Sequence, residues 1–148
     1  MRSAAFLLAL LLPAAVFAAP KTKKLQFNRD IQPILADKCY HCHGPDKNNR
    51  QGELRLDTKA GLFGKRDGAA PVVPGQPKKS GLVARILATD DTQMPPADAP
   101  AKLTKRERQI LRAWVKQGAP WQQHWSFIAP SRPAQPKVKN AKWSKNAI

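Results

Sequence analysis

The sequence predicts an all-α domain of three to four short helices joined by long loops. Three observations carry this. Apolar residues recur at helical spacing in three segments: Ile31, Ile34 and Leu35; Leu82, Val83, Ile86 and Leu87; Ile110, Leu111, Trp114 and Val115. Fourteen prolines stand against eight glycines, which favours long connections over continuous regular structure. From Gly44 to Lys79 the sequence reads mostly as loop. A connection of that length is unusual inside a compact domain, and it becomes reasonable if it wraps something large that is not protein.

The chain starts with an address rather than with the domain. Met1-Arg2-Ser3 is short and positively charged, and Ala4 to Ala19 is an unbroken apolar run of sixteen residues. A spanning helix needs roughly 20 apolar residues. Val16 and Ala18 fit the small-residue positions of a cleavage site, so residues 1–18 are expected to be a secretory signal peptide removed after Ala18. An uncleaved anchor is the alternative. The chain has 148 residues and a net charge of +16. Losing residues 1–18 removes Arg2 and no acid, leaving 25 bases, 10 acids and a net +15. Export to the periplasm or cell envelope argues against nucleic acid as the partner of this charge. An acidic redox protein, an anionic surface or an anionic polymer fits it better.

The elements follow in order. Residues 19–26 are a basic, flexible lead-in. Asn28 is placed as the N-cap of the first helix, with Asp30 in its first turn. Pro33 lacks an N–H, so that helix either begins there or is kinked there. It runs directly into Cys39. Within the long loop, Leu54-Arg55-Leu56 suggests a brief extended stretch and Ala60–Phe63 one helical turn. Ser80 is placed as the N-cap of the second helix. Thr104 and Glu107 form a capping box for the third, which Gly118 and Pro120 stop. The 41 residues after Glu107 contain eight Lys or Arg and no acid. Residues 122–148 are expected to be a Pro- and Lys-rich linker.

Two cysteines cannot build a disulfide scaffold. They stand in Cys39-Tyr40-His41-Cys42-His43, which is C-x-x-C-H. Two thiols one helical turn apart can each bond one vinyl group of a haem, and the next histidine is then held beneath the iron. This spacing is the c-type haem attachment signature. A low-spin electron-transfer haem also needs a second axial ligand, commonly the soft thioether of methionine. Beyond the apolar run the chain has one methionine, Met94, 51 residues after His43 in Gln93-Met94-Pro95-Pro96. The two prolines restrict that loop and set the sulfur at little entropic cost. The cofactor expected is one covalent haem c on Cys39 and Cys42, with His43 and Met94 as axial ligands. The third helix is expected to cover the haem edge.

Other readings are open to the same residues. A zinc site would need a fourth ligand, with His41 and His124 the spare histidines. A thioredoxin-like pair would need a βαβ pattern that the chain lacks. A haem with an open or displaceable sixth position would be catalytic or gas-sensing. His124 competes with Met94 as distal ligand, against the simpler reading of an exposed residue. Trp114 and Trp121 are expected in core or haem-pocket packing. Arg55 stands equally between a haem-propionate partner and a solvated side chain.

The order of helix, C-x-x-C-H-G-P, long loop, Met-Pro-Pro and terminal amphipathic helix resembles a class I cytochrome c. More narrowly, the chain resembles the planctomycete-type cytochrome c domain. The resembling stretches are Phe27–Leu35, Cys39–Asp46, Gly52–Asp57, Val73-Pro74-Gly75, Met94-Pro95-Pro96 and Trp114–Trp121. The resemblance implies a class I cytochrome c-like domain over residues 27–121, wrapped around one covalently bound haem. It implies electron transfer rather than catalysis. His124-Trp125-Ser126-Phe127, Arg132-Pro133 and Trp143–Ile148 resemble the bridge to a large downstream domain. In that family the cytochrome is the N-terminal part of a longer exported protein, so a downstream domain is an expected partner.

Overall fold

The computed structural model describes residues 23–134, Asp67 excepted. The expected signal segment with its expected cleavage after Ala18, and the part of the expected linker beyond Ala134 with Trp143, lie outside the described residues. Five short α-helices organise the rest: α1 (Gln32–Lys38), α2 (Tyr40–His43), α3 (Lys59–Phe63), α4 (Gly81–Leu87) and α5 (Lys105–Lys116). Among the described residues there is no strand, only an isolated bridge between Arg66 and Ala69. The all-α expectation holds at this level. No described helix is long and apolar enough to cross a membrane.

The chain enters through a π-helical turn, Phe27–Ile31, which resolves the problem at Pro33. The Gln32 N–H reaches back to the Phe27 carbonyl, and Pro33 then falls in the first turn of α1, where a missing N–H costs nothing. Asn28 is not the N-cap. Gln26 is, and its N–H donates to the Asp30 carboxylate at 2.8 Å. Asn28 instead takes the tail, donating its N–H to Gln122 Oε1 at 3.1 Å and its side-chain amide to the Gln123 carbonyl at 2.7 Å. The lead-in is tied as well. Gln117 accepts the Leu25 N–H at 2.9 Å and donates to the Lys23 carbonyl at 3.2 Å.

α5 has the capping box its sequence requires. Thr104 Oγ1 accepts the Glu107 N–H, and the Glu107 carboxylate accepts the Thr104 N–H at 2.7 Å. Gly118 sits at φ +92° in the left-handed region, and this lets the Ala119 N–H return to the Trp114 carbonyl at 2.9 Å. The helix packs on α4 and on the π turn. Phe27, Ile31, Leu35, Leu111, Trp114 and Val115 are at most 2% exposed there. Trp114 and Trp121 belong to this core: Phe27 lies 5.8 Å from the Trp114 ring and 4.2 Å from the Trp121 ring, and Phe63 closes the cluster.

The long loop is stapled at intervals rather than loose. The Val72 N–H meets the Leu62 carbonyl at 2.9 Å, and the Gly75 N–H meets Val115 at the end of α5 at 2.8 Å. Leu54–Leu56 is not a strand. Thr58 caps α3 by accepting the Gly61 N–H at 3.0 Å. Ser80 occupies the N-cap position of α4, but its buried hydroxyl serves the loop before it. It accepts the Val73 N–H at 2.9 Å and donates to the Gln76 carbonyl at 3.0 Å.

Candidate haem site

α1 delivers the cysteines. The Cys39 N–H donates to Leu35 at 2.9 Å, and the His43 N–H returns to Cys39 at 2.8 Å, so the chain bends at Cys39 without leaving the helical path. Cys39, Cys42 and His43 therefore ride on a single helical turn. Gly44 must follow them, because a Cβ there would lie 2.2 Å from the Tyr40 carbonyl oxygen. The Arg50 guanidinium then closes the next loop by donating to the Gly44 and Pro45 carbonyls at 3.1 and 2.8 Å. Two further amides strap the motif. Gln51 N–H reaches the Cys42 carbonyl and Leu56 N–H the His43 carbonyl, each at 2.8 Å.

Met94 comes from the other side of the fold. Its N–H donates to the Arg85 carbonyl near the end of α4 at 3.0 Å. The preceding turn is held by Asp90, whose Oδ1 accepts Thr92 N–H at 3.0 Å and Thr92 Oγ1 at 2.6 Å. Pro95 is buried behind the methionine.

Cys39, Cys42, His43 and Met94 all line one cavity of about 550 Å³. Cofactor pockets commonly run to roughly 300–1,000 Å³. Leu54 and Leu56 of the strap, Leu82 and Ile86 of α4, and Pro95 give it largely apolar walls. Burial lowers the His43 pKa, with the Gln51 backbone working weakly the other way. Burial thus favours the neutral ring, the form that ligates a metal. His43 Nδ1 is buried with no hydrogen-bond partner. Burial pushes the Cys39 thiol up to about 12, assisted by Cys42. Among the described residues no group of three or more His, Cys, Asp or Glu converges on a metal-sized site. The cavity, its apolar walls and its sulfur and imidazole donors fit a haem.

Other expected residues lie elsewhere. Arg55 does not line the cavity; its guanidinium is paired with Asp57, through Nε at 3.0 Å and a second contact from Nη2. α5 contributes no residue to the cavity wall, so the third predicted helix backs the core and does not cover a haem edge. His124 is exposed and bonded to Ser126, away from the cavity. His41 does line it, while exposed. Sequence reasoning missed Lys38, Arg66 and Arg85 at the cavity. Arg85 had a signal, since it shares a helical face with Leu82 and Ile86. Arg66 had none, because it arrives by way of the loop.

Residues 39–98 match the family model described as planctomycete cytochrome C. The match supports a planctomycete-type cytochrome c domain over that stretch. The matched stretch begins at Cys39 and ends four residues beyond Met94, so it spans both faces of the cavity. Comparison with curated proteins and with solved structures returns no match.

Proposed function

We propose that this chain is an exported monohaem cytochrome c domain that carries electrons and turns over no substrate. The observation behind the reading is the single cavity shared by the C-x-x-C-H cysteines, His43 and Met94. Cys39 and Cys42 would hold haem c through thioethers, His43 would supply the imidazole ligand and Met94 the thioether ligand. When bound, the haem supplies a one-electron iron couple whose potential the axial pair and the surrounding polarity set.

The chain's own residues do the rest. Leu54, Leu56, Leu82, Ile86 and Pro95 keep water from the site. The strap through Gln51 and Leu56 fixes the attachment turn. Arg66 and Arg85 place positive charge at the cavity, where Lys38 is paired with Asp37, and this suits an acidic docking face on a redox partner. The same reading puts the protein in the periplasm or cell envelope, with a downstream domain of a longer polypeptide as its covalent neighbour.

The test is an intact mass and a visible spectrum after expression with a cytochrome c maturation system. One covalent haem, a sharp reduced α-band and a methionine–iron charge-transfer band in the oxidised form are expected. A colourless protein beside a normally matured control cytochrome overturns the haem. Rapid stoichiometric carbon monoxide binding by the reduced protein overturns Met94 as a firm ligand and leaves the open-site haem.

A further inference from the structure

We propose that Arg85 is the positioning residue for the Met94 thioether. The inference rests on the reading of Met94 as axial ligand and adds the group that holds it there. Arg85 grips the methionine loop at two points. Its carbonyl accepts the Met94 N–H at 3.0 Å, and its Nη1 donates to the Thr92 carbonyl at 3.2 Å. The backbone bond stops Met94 from moving away from α4, and the guanidinium bond stops the loop from hinging two residues earlier. Asp90 then closes the turn through Thr92. Arg85 is on α4, where Leu82 and Ile86 are packed into the core, so the grip has a rigid base. Only the side-chain half of this grip can be removed without disturbing the helix.

Arg85 also brings a charge to the cavity wall. Arg85→Lys keeps that charge without the planar fork, so it serves as the control for charge alone.

The experiment compares the haem-loaded wild type with Arg85→Gln, Arg85→Lys and Met94→Ala. The readings are the oxidised methionine–iron band, the rate of imidazole binding to the oxidised form, and the thermal midpoint. Losing one charge-assisted bond on an exposed loop should raise imidazole binding in Arg85→Gln by about three- to tenfold, with a weakened band. Arg85→Lys, which keeps the charge but not the fork, should fall between. The midpoint of Arg85→Gln should move little. An Arg85→Gln rate equal to wild type, while Met94→Ala loses the band, overturns this proposal alone. An Arg85→Lys rate equal to wild type also overturns it, because charge rather than position is then at work. A band that survives Met94→Ala overturns the ligand reading and this proposal with it.

Discussion

The Leu56 amide donates to the His43 carbonyl at 2.8 Å across thirteen residues of chain. Leu56 is also 3% exposed, part of the core and part of the cavity wall. One residue thus holds the attachment turn by its backbone and shields the site by its side chain. Leu56→Ala keeps the hydrogen bond and removes the packing. The expected cost is about 2–4 kcal/mol in the haem-loaded protein, the range for a buried leucine truncation. Denaturant titration reads it directly, and a loss below about 1 kcal/mol would contradict the packing described for this side chain.

The haem-free chain should not hold this fold. Empty apolar volume costs about 24 cal/mol per Å³. Over a cavity of about 550 Å³ that comes to about 13 kcal/mol as an upper bound, since the mouth admits water. Net stabilities of small domains are of the same order. Replacing both Cys39 and Cys42 by Ala should therefore give a haem-free protein without a cooperative thermal transition. A sharp transition in that variant would show that the aromatic core around Trp114 is sufficient by itself.

Much of this was legible before any coordinates. Cys39, Cys42 and His43 are fixed by local spacing, and α5 is announced by Thr104, Glu107 and a clean apolar face. Those are short-range signals. What failed was long-range. The placement of α5 behind the core, and not over the cavity, depends on Phe27, Phe63 and Trp121 converging on Trp114. The role of Arg55 depended on a partner, Asp57, only two residues away, yet an Arg-x-Asp pair has no periodicity to flag it. The role of Asn28 was lost to the distant Gln122 and Gln123.

Arg55 is held against Asp57 and does not line the cavity, so it makes no contact with the site. Arg55→Gln should leave the reduction potential at its wild-type value, while Met94→Ala lowers it by removing the thioether that favours ferrous iron. Potentiometric titration of the three proteins tests both statements. A fall in Arg55→Gln comparable to that in Met94→Ala would restore Arg55 as a group that contacts the haem.

The Thr104 cap offers a perturbation far from the site. Thr104→Ala removes the acceptor of the Glu107 N–H and half of a reciprocal pair. Such caps are worth about 1 kcal/mol. A loss of that order is expected in urea titration, with the charge-transfer band unchanged. A change in the band would mean that α5 communicates with the ligand loop after all.

Acid should act through Asp30. The Arg29 guanidinium and then the Gln26 N–H hold its carboxyl at about 2, against an ordinary value of 3.8. The folded value lies below the unfolded one, so the stabilisation is fully present above about 4 and is lost as the pH falls through about 2. Asp30→Asn removes the charge but keeps an acceptor for Gln26. It should be less stable than wild type at neutral pH, and the difference should shrink between about pH 4 and pH 2. Asp30 does not line the cavity, so the oxidised spectrum of the variant should be unaltered at neutral pH. Urea titrations of both proteins across that window decide the matter. A stability difference that stays constant down to about pH 2 would mean that Asp30 acts there through packing and not through its charge.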